Sequence, residues 1–114
     1  MHALIIEDES IIAMAIEDVL RECGFASFDL AASPLAAIAA ASHQCPDLIT
    51  SDVQLKPGCG IDTVLSICSG KNIPVIFITG NADDVILRLP DSHVLPKPFS
   101  DKSLAASVAL ALLV

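Results

Sequence analysis

The chain has no tryptophan and no tyrosine, and only four phenylalanines in 114 residues. Binding of single-stranded nucleic acid leans on stacking of bases against aromatic rings, and little is present to stack on. Positive charge is scarce too. Six Lys and Arg stand against 14 Asp and Glu, and the formal net charge of −8 repels a phosphate backbone. No nucleic-acid partner is expected. Cys23, Cys45, Cys59 and Cys68 include no C-x-x-C pair, and His2, His43 and His93 stand at no ligand-like spacing to them. The cysteines are expected to be reduced thiols of a cytoplasmic protein, most of them small core fillers. No basic stretch precedes an apolar one at the start, so no signal peptide is expected, and Leu104–Val114 is too short to span a bilayer. No membrane partner is expected.

Aliphatic residues are what the chain has in plenty, and they mark out one domain, 1–114, with a single core. Ala3-Leu4-Ile5-Ile6 is a continuous apolar run of the kind a buried parallel strand needs. It stops at Glu7-Asp8-Glu9, and from Ser10 the residues Ile12, Ile16, Val19 and Cys23 recur at helical spacing, with Gly24 as the stop. Phe25–Ala31 reads as a second strand. Ser33-Pro34 reads as an N-cap with Pro at the first helical position, opening an Ala-rich helix to His43. Leu48–Ser51 is a third strand, and a helix from Ile61 to Ser69 follows a loop holding Pro57, Gly58 and Gly60. Pro74–Ile78 is the fourth strand, followed by a short helix over Ala82–Leu89. His93–Leu95 is the fifth, and Ser100 caps a last helix over Asp101–Leu113. Five strands alternating with five helices predict an α/β fold, a parallel sheet with helices on both faces.

The strand ends carry the chemistry. The first apolar strand ends at Glu7 and Asp8, the third at Asp52, the fourth at Thr79 and the fifth at Lys97. In a parallel sheet these emerge on one edge, where ligands bind in open α/β sheets. Each has a plain structural reading when taken alone. Asp52 can open a loop, Glu7-Asp8 can charge a first helical turn, Thr79 can close a strand and Lys97 can be a solvated cation. Together they form a set for phosphoryl transfer. Clustered carboxylates repel one another unless a hard cation such as Mg²⁺ compensates them. Lys97 and Thr79 can neutralise and orient a phosphoryl group, with Asp52 as the nucleophile that becomes an acyl phosphate. Gly80 leaves room beside it.

These residues resemble a response-regulator receiver domain of the CheY-like kind over essentially the whole chain. The matching motifs are Glu7-Asp8, Asp52 after an apolar strand, Gly60 eight residues later, Thr79-Gly80, and Lys97-Pro98-Phe99. The resemblance implies a flavodoxin-like five-stranded sheet in order 2-1-3-4-5. It implies a Mg²⁺-dependent phosphoryl group on Asp52, with the metal held by Asp8, Asp52 and the Gln54 backbone carbonyl and by Glu7 through water. It also implies a cis Lys97-Pro98 bond. Three departures stand out. The aromatic usually found three residues before the lysine is Val94, the interval from Thr79 to Lys97 is short enough to require a short fourth helix, and the usual proline after the phosphoacceptor is displaced to Pro57. The segment Val75–Asn81 resembles the Phe-Ala-Thr-Gly-Tyr signature of a single-domain receiver subfamily, with Ile78 and Asn81 in place of its Ala and Tyr.

The function expected from the resemblance is phosphoryl acceptance from a histidine kinase or histidine phosphotransfer protein. The receiver then signals through altered protein binding or onward phosphotransfer, with self-phosphorylation and self-dephosphorylation in place of classical enzyme activity. Ile11, Met14 and Ala15 are the docking candidates for the donor, and Gln54 and Asn81 are placed to tune phosphoryl lifetime. The last helix is apolar from Leu104 to Val114 except at Ser107. Leu104, Val108 and Leu112 are expected on the sheet, leaving Ala105, Ala109, Leu110 and Leu113 for a homodimer or a downstream partner. The rival readings are a phosphorylation-independent binding module, a receiver piece of a hybrid kinase, and an aspartyl phosphohydrolase. The last is disfavoured by Gln54, which stands where such enzymes carry a second Asp.

Overall fold

In a computed structural model of the protein, residues 1–55 and 58–113 are described. The displaced Pro57 lies outside them. The strands are β1 (His2–Ile6), β2 (Ser27–Ala31), β3 (Leu48–Ser51), β4 (Val75–Thr79) and β5 (His93–Pro96). The helices are α1 (Ser10–Glu22), α2 (Pro34–His43), α3 (Gly60–Ile67), α4 (Ala82–Arg88) and α5 (Asp101–Ala111). All strand pairs are parallel, in the order β2-β1-β3-β4-β5, which is the flavodoxin-like topology expected.

Alternation along the strands divides the core in two. Ala3, Ile5, Leu48, Ile76 and Ile78 face a cluster with Ile16, Val19 and Leu20 of α1 and Leu104, Val108 and Ala111 of α5. Leu4, Ile6, Ile49 and Phe77 face the other, with Ala37 and Ala41 of α2, Ile61 and Val64 of α3, and Val85 of α4. Every residue of β1 and β3 is buried, as strands covered on both faces must be.

The ends of the elements follow local chemistry. Ser33 Oγ accepts the Ala36 N–H at 3.2 Å and Pro34 opens α2, while Ser100 and Ser103 cap α5 reciprocally. Phe25 is not in β2. Gly24 (φ +102°) closes α1, with its N–H on Arg21 O and the Phe25 N–H on Leu20 O. The Phe25 side chain is thereby turned into the α1 core. At the far edge the buried His2 ring bonds Ser27 at 2.8 Å and Asp29 at 2.9 Å, a structural tie of β1 to β2. Among the described residues no helix is long and apolar enough to cross a membrane. Cys23, Cys59 and Cys68 pack against the cores, whereas Cys45 is exposed.

Candidate functional site

The carboxyl ends of β1, β3, β4 and β5 meet at one edge of the sheet, held in register by backbone pairing. The Glu7 N–H donates to Ala31 O and the Asp52 N–H to Ile6 O, both at 2.9 Å, and the Lys97 N–H donates to Thr79 O at 2.9 Å. Residues far apart in sequence are thus set side by side before any side chain is considered.

Lys97 Nζ sits between two carboxylates, 2.8 Å from Glu7 Oε1 and 3.0 Å from Asp52 Oδ2. Glu7 Oε2 accepts the Glu9 N–H at 3.2 Å, and Asp52 Oδ1 accepts the Val53 N–H at 2.7 Å. Glu7 and Asp52 are buried, while Asp8 is more accessible. The helical reading of the acidic pair is removed, because α1 begins only at Ser10. Burial pushes the Glu7 carboxyl above its ordinary value, and the Lys97 ammonium and the Glu9 N–H restrain that rise. Burial alone lowers the Lys97 ammonium, but its bonds to Glu7 and Asp52 outweigh that and raise it overall. The lysine is therefore a fixed cation at any physiological pH.

One oxygen from each of Glu7, Asp8 and Asp52 lies within 4.8 Å of the others. Three hard oxygen donors so placed could hold a divalent ion, and they are the carboxylates singled out from the strand ends. Gln54, expected to add its carbonyl, has an exposed side chain and a backbone paired with Cys59 in an isolated bridge.

The chain leaves β3 under tight constraint. A Cβ at Gly60 would lie 1.7 Å from Asp52 O and 2.8 Å from Ser51 Oγ, so only glycine fits. The Gly60 N–H donates to Val53 O at 2.7 Å, and Ser51 Oγ donates to Asp52 O at 2.8 Å. The Ser51 contact gave no signal in the sequence, since a serine beside an aspartate is unremarkable there. Gly80 is different, because a Cβ there would meet nothing within 4 Å.

Thr79 is buried at the end of β4, but its Oγ1 accepts the Asn81 N–H at 3.0 Å and bonds neither Asp52 nor Lys97. The Lys97-Pro98 bond is cis, as expected. Val94 is half-buried and packs against the α2–α3 side of the core.

The sequence model described as a response regulator receiver domain matches residues 3–109. The chain belongs to that family. Among relatives of this receiver, the transcriptional regulatory protein PdtaR of Mycobacterium tuberculosis is 33% identical over 114 residues, covering 96% of this chain and 56% of its own. The phyllosphere-induced regulator PhyR of Methylorubrum extorquens is 34% identical over 113 residues, covering 96% and 42%. The solution NMR structure of the PhyR response regulator REC domain of Erythrobacter litoralis matches with a TM-score of 0.89 at 33% identity, over 97% of this chain and 88% of that one. The chain spans about half the length of the curated relatives it matches. A receiver domain belongs to two-component signalling, and the strand-end cluster lies at the carboxyl edge of the sheet, where open α/β sheets bind their ligands.

Proposed function

We propose that Asp52 is the phosphoacceptor of a cytoplasmic receiver, taking its phosphoryl group from a sensor histidine kinase or a histidine phosphotransfer protein. The observation that carries this reading is Lys97 Nζ bridging Glu7 and Asp52 at 2.8 and 3.0 Å. A buried carboxylate is held at the sheet edge with its charge partly neutralised, so it can meet an anionic phosphoryl group. An Asp52 carboxylate oxygen attacks phosphorus as the P–N bond to the donor histidine breaks. The histidine nitrogen leaves and takes up a proton, and a mixed anhydride remains on Asp52.

The acidic trio fits Mg²⁺, with Asp8 and Asp52 as ligands, the Gln54 carbonyl completing the protein's share, and Glu7 reaching it through water. When bound, the ion neutralises charge on the phosphoryl oxygens during transfer. Lys97 orients and neutralises the same group from the β5 side, and Thr79 supplies a hydroxyl. Gln54 and Asn81 flank the approach of hydrolytic water. The receiver thus catalyses its own phosphorylation and dephosphorylation and turns over no separate substrate.

Donor docking falls to a groove of about 440 Å³ lined by Ile11, Ile12, Ala15, Pro98 and Phe99, with Lys97 at its head. Ile11 is exposed within that lining, and Met14 is exposed on a second hollow of α1 shared with Glu7 and Asp8. On α5, Leu104, Val108 and Ala111 are buried, Ala105 packs on the core, and Leu110 and Leu113 remain exposed. That face serves a homodimer or a downstream protein, and a strict monomer in sedimentation at high concentration, phosphorylated or not, removes the dimer.

The decisive experiment is incubation with acetyl phosphate and Mg²⁺ followed by intact mass. A phosphoryl adduct present in the wild type and absent in Asp52→Asn supports the reading. No adduct with this donor or with a kinase turns the reading to a phosphorylation-independent binding module.

A further inference from the structure

The peptide unit between Asp52 and Val53 is gripped at one end and gives its other end to the carboxylate. Its carbonyl, Asp52 O, accepts Ser51 Oγ at 2.8 Å, and among the described residues no backbone N–H donates to it. Its N–H, that of Val53, donates to Asp52 Oδ1 at 2.7 Å, and the Gln54 N–H reaches the same oxygen at 3.4 Å. The other carboxylate oxygen, Oδ2, is held by Lys97 Nζ at 3.0 Å. In a planar trans peptide the C=O and the N–H point in opposite directions, so fixing one fixes the other. Ser51 follows Ile49 by two residues in β3 and so faces the α2–α3 side of the sheet. The hydroxyl draws the carbonyl to that side, and the N–H is left aimed at the carboxylate.

Gly60 packs against the same carbonyl, where not even a methyl group fits. Thr50, the residue before Ser51, supplies a contrast within one strand. Both are 1% exposed, but Thr50 Oγ1 bonds nothing. A farther tie of the chain that leaves Asp52 lies at the surface. Arg88 Nη2 of α4 donates to Asp62 Oδ1, in the first turn of α3, at 2.8 Å, and water competes for that exposed pair. The grip nearest the acceptor is therefore the buried one.

We infer that Ser51 is a positioning residue for phosphoryl acceptance. Its hydroxyl holds the 52–53 peptide so that the Val53 N–H fixes Asp52 Oδ1, and the carboxylate is aimed before a donor arrives. The inference rests on Asp52 being the phosphoacceptor. Without the hydroxyl the buried carbonyl has no partner, and the peptide turns to find one. The carboxylate is then free to swing about its Cβ–Cγ bond, and lost alignment of a nucleophile costs rate.

The test compares the full chain as wild type, Ser51→Ala and Thr50→Val. Amide exchange is read residue by residue by NMR, and adduct formation with acetyl phosphate and Mg²⁺ is followed by intact mass. In Ser51→Ala the Val53 amide should exchange about tenfold faster, the scale of one net hydrogen bond. The Asp52 amide, bonded to Ile6 O in the sheet, should keep its wild-type rate. Adduct formation should slow about tenfold. Thr50→Val should change neither. A merely structural role for Ser51 quickens both amides together, and that result overturns the inference. So does wild-type adduct formation in Ser51→Ala, or an equal slowing in Thr50→Val. Should Ser51→Ala not fold, Ser51→Cys decides, because a thiol of nearly the same shape is a weaker donor. It should show the same two changes at about threefold, and wild-type values there overturn the inference. Each of these outcomes leaves the Asp52 reading standing, whereas a wild type that forms no adduct overturns both.

Discussion

The β1–β3 half of the sheet edge and the β4–α4–β5 half are built differently. In the first, every strand residue is buried, Asp52 and Glu7 are each pinned by a backbone N–H, and the loop tolerates no side chain at Gly60. In the second, β5 is half-exposed, α4 buries one residue, Gly80 faces open space and the tie to α3 is an exposed ion pair. A carboxylate that must be aimed needs rigid surroundings, and close packing with backbone bonds supplies them. A segment that must answer a change in charge needs contacts that are cheap to break, and surface polar contacts are of that kind. The two requirements are met on opposite sides of one sheet edge.

The comparison is tested most sharply by its two glycines. Gly60→Ala forces a methyl into the Asp52 carbonyl and should cost about 3 kcal/mol or more, or prevent folding, by urea denaturation. Gly80→Ala meets no atom and should stay within about 0.5 kcal/mol of the wild type. Equal costs would erase the contrast between the halves.

Lys97→Met should cost about 2–3 kcal/mol at neutral pH in EDTA, because it leaves a buried carboxylate without its cation. The loss should be pH-dependent. Glu7 is already raised by burial, and removal of Lys97 raises it further. A carboxyl raised on folding contributes stability below its unfolded value, about 4.3, and loses it as pH climbs through the folded value. The deficit should therefore be small in acid and grow across the weakly acid range. A pH-independent deficit assigns the cost to lost packing of the lysine stem.

A smaller effect is expected at Val94→Ala, about 1 kcal/mol from a half-buried side chain, with adduct yield unchanged by intact mass. A lower yield would tie the second half to the chemistry itself. An effect of opposite sign is expected at Thr50, buried in β3 with an unpartnered Oγ1. Thr50→Val should raise stability by up to about 1 kcal/mol, since it removes a hydroxyl that bonds nothing. A loss of stability there would show that the first half depends on that hydroxyl.

Nearly all of the fold could be read from the chain, because fully buried parallel strands have to be apolar runs and Ser33, Ser100 and Gly24 punctuate the helices by local chemistry. Phe25 was misplaced by two residues' worth of strand, since an apolar residue after a C-terminal glycine closes the helix as readily as it opens a strand. On the last helix Ala111 was overlooked as a core residue, because a helix with almost no polar face gives periodicity nothing to mark. The site residues were legible as strand ends. The Arg88–Asp62 tie was not, because its partners lie on different helices and neither stands in a pattern.

By itself, then, the sequence determined which strands are buried and which residue each delivers to the sheet edge, Glu7, Asp8, Asp52, Thr79 and Lys97. These follow from hydrophobic runs and their stopping points, which are local. Only the tertiary structure decided that Lys97 lies between Glu7 and Asp52, that Gly60 is pressed on the Asp52 carbonyl, and that the Thr79 hydroxyl is turned toward Asn81. Those are distances between elements far apart in the chain. They are set by strand order and packing, which no local pattern encodes.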